Sequence, residues 1–298
     1  MTVRSTFVLA AALLAGCGAD LGGPCSPTEL CEVGVCDLTN PGGGICVDGD
    51  SDADGDGIPA ARDFCQHEMG GEYDEDLDGI GDICDACPIA PPPASPDADG
   101  DEVESPCDPD PSTAGEQIVV FDGFNGSEAP VGWKVTTGWE FRGGEAIATP
   151  GSPTATALLS APLSLASSHM AALTRYRVDR VDTTATENAA QVIAIDRRPA
   201  GVTIVSCAGT RVAGMDRLAL DTGVMFANDV VDSLFDPAAL YRAVLRIDGA
   251  QAQCALIGDA DAGAAQANTN GENMTEAGLG AKGATIRFGY LLAVQRPN

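Results

Sequence analysis

From residue 48 to residue 110 the chain carries 21 Asp and Glu in 63 positions, with Arg62 and His67 its only basic side chains. A stretch this acidic repels itself, and it holds few apolar residues to bury. Any ordered form of it must draw stability from covalent links or bound cations instead of a core. The carboxylates are also in register. Asp recurs at alternate positions, then Gly, then further Asp and Cys, and the pattern is written three times. The copies begin at Asp52, Asp74 and Asp97, 22 and 23 residues apart.

Numbered from its first Asp, each copy has the donor set of a calcium loop. Calcium is a hard cation that takes about six to eight oxygen ligands, and carboxylates at positions 1, 3 and 5 of a tight loop converge on one ion. Here these are Asp52, Asp54 and Asp56; Asp74, Asp76 and Asp78; and Asp97, Asp99 and Asp101. Position 7 offers a backbone carbonyl, from Ile58, Ile80 and Val103. Position 12 offers another carboxylate, from Asp63, Asp85 and Asp108, and Asp82 adds one at position 9 of the second copy. Gly57 and Gly79 stand at position 6, where the chain must turn sharply. Glu102 at position 6 of the third copy and Ala60 at position 9 of the first depart from the pattern and weaken those two sites. Helices flanking the loops are excluded by Pro59, Gly70, Gly71, Pro88 and Pro91 to Pro93. The competing reading is a solvated acidic linker; three copies in register with matched cysteines favour calcium.

Three runs carry a family likeness: Asp52-Ala-Asp-Gly-Asp-Gly-Ile-Pro, Asp78-Gly-Ile-Gly-Asp-Ile-Cys-Asp-Ala-Cys-Pro and Asp108-Pro-Asp-Pro. They resemble thrombospondin type 3 repeats, over roughly a fifth of the chain. That resemblance implies a backbone wrapped around a row of calcium ions with almost no apolar core. It also implies disulfides between successive repeats, which here are Cys65–Cys84 and Cys87–Cys107.

A net charge of −28 over 298 residues rules against nucleic acid as a partner. Eleven cysteines indicate an oxidising compartment. Residues 1–17 account for export: Arg4 precedes an apolar run from Phe7 to Ala15, too short for a mature membrane span, ending Leu-Ala-Gly-Cys17. This resembles the bacterial lipoprotein box, which implies cleavage before Cys17 and its acylation, and hence a membrane anchor. Ten cysteines then remain, an even number. Residues 18–47 hold Cys25, Cys31, Cys36 and Cys46, which allow three pairings. A slight likeness to half an epidermal-growth-factor module favours Cys25–Cys36 and Cys31–Cys46. Residues 89–96 read as a stiff proline-rich spacer and 109–116 as a hinge.

The expected division is therefore a signal peptide at 1–17, a small Cys-rich module at 18–47, calcium repeats at 48–110 and a last domain at 111–298. In that domain the acid excess shrinks, and short apolar runs alternate with Gly, Asn, Asp and Pro. Expected strands are 117–121, 139–142, 155–160, 170–178, 191–195, 202–207, 217–220, 240–247, 252–257 and 285–294. Many closely spaced strands without helical patterns predict a mostly β chain, with an antiparallel β-sandwich after the irregular repeats. Cys207 and Cys254 both lie in expected strands and are expected to pair. The opening Phe121-Asp-Gly-Phe124-Asn with Gly132-Trp133 and Gly138-Trp139-Glu-Phe141, and the closing Ile286-Arg-Phe-Gly-Tyr290, resemble concanavalin A-like (laminin G-like) jelly-roll domains. That resemblance implies carbohydrate binding in many members and glycosidase activity in some.

No catalytic set is legible. The Glu-x-Asp-x-x-Glu run of jelly-roll hydrolases, the Gly-x-Ser-x-Gly elbow and His-Glu-x-x-His are all missing. His67 and His169 are the only histidines, and His169 is read as structural. Trp133, Trp139, Tyr176, Tyr241 and Tyr290 are the large aromatics that a sugar platform would need, most of them expected in the core. The expected function is a non-catalytic, calcium-binding lipoprotein of the outer membrane or cell surface, presenting its sandwich for adhesion or envelope interaction. The alternative is a lectin-like or glycoside-hydrolysing surface protein, so the partner is a polysaccharide or a surface protein.

Overall fold

A run of aspartates gives way to a run of strands, and the secondary structure follows that change. The computed structural model describes residues 18–70, 72–91, 97–199, 201–231, 234–258 and 262–298, and among them there is no helix. None is long and apolar enough to cross a membrane. Cys17 and most of the proline-rich spacer lie outside the described residues.

The described chain divides into two compact units, one ending at Cys84 and the other spanning Asp85–Asn298. The boundary therefore falls inside the repeat array, just before Asp85, position 12 of the second loop. The first unit opens with a short hairpin, β1 (Val35–Asp37) and β2 (Ile45–Val47), which places Cys36 opposite Cys46. Disulfides Cys25–Cys36 and Cys31–Cys46 lock it, and Cys65–Cys84 links the first two loops. Buried Asp37 joins the hairpin to the first loop. It accepts hydrogen bonds from the backbone and hydroxyl of Thr39 and meets His67 Nε2 at 2.9 Å.

The second unit is an antiparallel β-sandwich with the third loop attached. Its strands are β3 (Gln117–Asp122), β4 (Lys134–Val135), β5 (Trp139–Phe141), β6 (Ala146–Ala148), β7 (Thr156–Ser167), β8 (His169–Val181), β9 (Glu187–Arg198), β10 (Gly201–Val212) and β11 (Met215–Asp221). They continue as β12 (Phe226–Val230), β13 (Tyr241–Asp248), β14 (Gln251–Gly258), β15 (Ala262–Asn268), β16 (Met274–Lys282), β17 (Ala284–Phe288) and β18 (Leu291–Arg296). One sheet runs β12-β11-β10-β9-β16-β7-β4. The other runs β15-β14-β13-β8-β17-β6-β5, with β18 also paired to β8 and β3 paired to β18.

Side chains from both sheets meet in one core. Leu159, Val192, Leu218 and Leu279 come from the first sheet, and Tyr176, Leu245, Ile286 and Phe288 from the second. Cys207 on β10 and Cys254 on β14 form a disulfide across the two sheets. Burying large apolar side chains contributes roughly 1.5–3 kcal/mol each, so this unit holds together by means the first two loops lack.

Two departures from the expected strands have clear physical causes. The run 285–294 is two strands, because Gly289 and Tyr290 leave the ladder: Gly289 N donates to Arg175 O and Thr174 Oγ1 donates to Tyr290 O. Strand β16 was not expected, since its Ala and Gly residues carry little β signal. It lies fully paired between β9 and β7, and a side chain at Gly278 would meet Leu159 O at 2.2 Å. The small residues are there because neighbouring atoms come so close.

Strand β8 is covered on both faces. Met170, Ala172 and Tyr176 point into the sandwich core. Ala171 and Leu173 point outward and join Leu292, Val294 and Tyr290 against Cys87 and against Val103 and Cys107 of the third repeat. That repeat therefore sits on the outer face of the sandwich. The segment 109–116, expected to be a hinge, is pinned there. On the outward face of β13, Arg242 Nη2 donates to Pro106 O at 2.9 Å. Arg246 donates to Pro109 O at 2.7 Å and Asp110 Oδ2 at 2.8 Å.

Candidate metal centre

Each acidic loop closes on its own backbone in the same way. The position 1 carboxylate accepts two loop N–H groups. Asp52 takes Gly55 and Gly57, Asp74 takes Leu77 and Gly79, and Asp97 takes Gly100 and Glu102, at 2.7–3.1 Å. The position 5 carboxylate accepts from position 7: Asp56 from Ile58, Asp78 from Ile80 and Asp101 from Val103. Position 12 accepts from two residues on, as Asp63 does from Cys65, Asp85 from Cys87 and Asp108 from Asp110. The other oxygen of position 5 reaches 14 residues forward in two loops, Asp56 to Gly70 N and Asp101 to Gly115 N.

Positions 4 and 6 are left-handed in all three loops. Gly57 and Gly79 have φ of 90° and 93° at position 6, and Glu102 holds 72°. Glu102 thus adopts the turn that glycine makes elsewhere, at a strain of about 1 kcal/mol, and its N–H still reaches Asp97 Oδ2 at 2.9 Å. The departure at position 6 does not open the third loop.

This closure gathers carboxylates. Donor atoms of Asp52, Asp54 and Asp56 lie within 4.8 Å of one another, as do those of Asp74, Asp76 and Asp78, and of Asp97, Asp99 and Asp101. Several inner oxygens are buried and accept no hydrogen bond, among them Asp54 Oδ2, Asp76 Oδ2 and Asp78 Oδ2. Oxygens so placed are oriented for a cation, and the donor set fits calcium. The side chains of Ile58, Ile80 and Val103 have no donor role; their loop carbonyls are the ligands expected from position 7. Val103 itself is buried in the apolar contact with the sandwich.

Crowding shows in the electrostatics. Burial first, and then the charges of Asp78 and Asp74, push the Asp76 carboxyl up to about 6. Burial and neighbouring aspartates also raise Asp63, Asp78, Asp99 and Asp108. Asp97 moves the other way, because Glu102 and Gly100 N–H groups hold its charged form. Asp82 Oδ1 accepts from Glu75 N within the second loop.

One acid outside the sequence-derived set joins the third cluster. Glu116 lies with Asp99 and Asp108, donor atoms within 4.8 Å of one another. Burial, then Asp108, raises its carboxyl to about 7 against the pull of Arg296. Its position within the expected hinge at 109–116 hid it.

On the sandwich, Tyr176, Tyr241 and Tyr290 are buried, while Trp133 and Trp139 pack partly buried against the core. Phe226, at the start of edge strand β12, is the one aromatic exposed on the sandwich among the described residues. His169 Nδ1 meets Asp248 at 2.5 Å and faces Arg296 at 3.2 Å. Asp122 accepts from Phe124 N, and burial raises its carboxyl.

No family model matches the chain. No curated protein matches it either. Among solved structures it is similar to the winged bean acidic lectin complexed with methyl-alpha-D-galactose, at 8% identity over 61% of this chain and 100% of that one, with a TM-score of 0.47. It is similar to the CBM2 module of Lactobacillus casei BL23 phage J-1 evolved Dit, at 14% identity over 61% and 96%, with a TM-score of 0.44. It is also similar to the xylan beta-1,4-xylosidase from Bacillus halodurans C-125, at 11% identity over 58% of this chain and 38% of that one, with a TM-score of 0.40. These likenesses assign no ligand. The sandwich is defined by its own two sheets.

Proposed function

We propose that this chain is a calcium-binding, exported lipoprotein whose disulfide-linked acidic loops support a β-sandwich made for binding at a surface. The observation that supports it best is the hydrogen-bond pattern repeated in three loops, which converges the position 1, 3 and 5 carboxylates and leaves inner oxygens without donors. A divalent cation would offset the burial and the neighbouring carboxylate charges that raise Asp76 and Asp78. Sites of this kind in extracellular modules work at about 10⁻⁴–10⁻³ M. Calorimetric titration of the oxidised full chain, stripped with EDTA and with magnesium as control, tests the reading. Saturable binding of at least one calcium per loop is expected; no binding at millimolar calcium would reduce the loops to an acidic linker. Acylation at Cys17 is tested by mass spectrometry of the N-terminal peptide, and Cys17→Ser is expected to release the protein from membranes.

A second reading gives the sandwich a carbohydrate ligand. Its support is Phe226, an exposed ring beside the polar Asn228 on an edge strand, the kind of surface on which a sugar ring stacks. Binding on a glycan array that Phe226→Ala abolishes is the expected result; a silent array would leave protein partners as the sandwich's role.

A further inference from the structure

We propose that the Cys-rich module rests on the lipid bilayer itself, through Leu21, Leu30 and Val33 beside the point where the anchor enters. The inference rests on the reading of Cys17 as an acylated residue and adds a second, non-covalent contact to it. Gly18 follows Cys17 directly in the chain, and it is held against the segment 31–32. Ala19 bridges Cys31, Glu32 N donates to Ala19 O at 2.9 Å, and a Cβ at Gly18 would meet Glu32 N at 2.5 Å. An acyl group on Cys17 would therefore leave the module next to that segment.

Three aliphatic side chains flank this point, and all are exposed: Leu30 by 71%, Val33 by 57% and Leu21 by 50%. Leu30 lines an open hollow together with Gly18, Ala19 and Pro24. Leu21 lies at the turn after Val33, where a Cβ on Gly34 would meet Leu21 Cδ2 at 2.9 Å. The frame keeps them from folding inward. Gly34 is left-handed, with φ of 86°, and sits so close to Val47 O that a Cβ would come within 2.0 Å of it. Cys31–Cys46 holds the residue after Leu30, and Cys25–Cys36 closes the same small module. Aliphatic side chains grouped on a rigid surface mark a contact with a partner or a membrane.

Charge narrows the occupant. Residues 18–47 hold no Lys, Arg or His, while Asp20, Glu29 and Glu32 are exposed in the same segments. Attraction to anionic headgroups, which needs basic side chains, is therefore not the source of the contact. Burial of apolar surface at the interface of a zwitterionic bilayer is, and the anchor holds the module within reach of it at high effective concentration.

The test follows hydrogen exchange in three oxidised full chains: the acylated wild type in phosphatidylcholine vesicles, the acylated double variant Leu30→Asp with Val33→Asp in the same vesicles, and the Cys17→Ser chain free in solution. Vesicles are expected to slow amides 28–34 of the wild type about tenfold or more against the free chain, and the double variant, still anchored, is expected to exchange there at the free rate. Equal exchange at 28–34 in the anchored and free chains would overturn the inference while the anchor stands. Protection that persists in the double variant also overturns it, because the anchor alone would then shield the segment. Should the double variant fail to fold, Leu30→Trp in vesicles of brominated phosphatidylcholine decides: quenching of the added emission is expected, and its absence overturns the inference. An acyl group missing from Cys17 by mass spectrometry sinks the lipoprotein reading itself, a separate outcome, and the contact falls with it.

Discussion

The first two acidic loops and the sandwich solve the same problem with opposite materials. In the loops, order comes from carboxylates accepting backbone N–H groups and from Cys65–Cys84. Around Asp52 to Asp63, the buried side chains are Ala60 and Asp63. In the sandwich, order comes from apolar residues of two sheets, stapled by Cys207–Cys254. The third loop has both, since it keeps the carboxylate pattern and also rests its Val103 on Leu173 and Leu292. A charged loop needs an external support, and an ion or an apolar floor can each supply it. Loops of the first kind should respond to chelator, pH and reductant, and the sandwich to cavities.

The largest expected effect is a cavity. Leu159→Ala, at a fully buried site, should lower sandwich stability by about 3 kcal/mol in denaturant unfolding, with calcium binding intact. An unchanged midpoint would mean the core is not what holds that unit. Opening Cys65–Cys84 by Cys65→Ser removes a cross-link across 19 residues. In the chain-entropy model that is about 3 kcal/mol, and the second loop should become open to limited proteolysis while the sandwich transition stays put.

Next comes an electrostatic contrast. Burial alone would raise Glu276, but hydrogen bonds from Arg197, Lys134 and Ser160 outweigh it and hold the carboxyl at about 2. Its folded value lies below its ordinary 4.5, so its contribution is present above about pH 4.5 and is lost as pH falls toward 2. Glu276→Gln should cost the sandwich about 1–3 kcal/mol at pH 7 and flatten that acid loss. Asp76 has the opposite sign. Raised from 3.8 to about 6, it holds its proton more tightly folded than unfolded. In EDTA the second loop should therefore gain stability as pH falls from about 6 toward 4, read as slower proteolysis at 72–84. Saturating calcium should abolish or invert that slope, and an EDTA slope of the other sign would break the contrast.

The smallest effect is conformational. Glu102→Gly should relieve a left-handed backbone and tighten the third loop by about 1 kcal/mol, seen as slower amide exchange at 100–103.

Much of this was legible early. Periodicity of Asp marked all three loops, because a loop that closes on its own side chains is local: the position 1 carboxylates accept from N–H groups 3 to 5 residues on. The strands at 170–178 and 240–247 were visible for a related reason: β-rich apolar runs persist whatever they pack against. The expectations of an oxidising compartment and of no nucleic-acid partner rest on composition alone.

What composition and spacing left undecided was which surfaces meet. Ala171 and Leu173 face away from the sandwich core yet are buried, because the third repeat covers them. That contact is non-local, and it turns an expected hinge at 109–116 into a seated segment. Strand β16 was hidden because its Gly278 answers to the closeness of β7, a fact of packing and not of propensity. Glu116 lies inside the expected hinge at 109–116, and only the fold shows it beside Asp99 and Asp108. Sequence determined the local chemistry of each carboxylate loop; tertiary structure decided which loop gains an apolar floor, because only folding brings Ala171 and Leu173 of β8 against Val103 of the third loop.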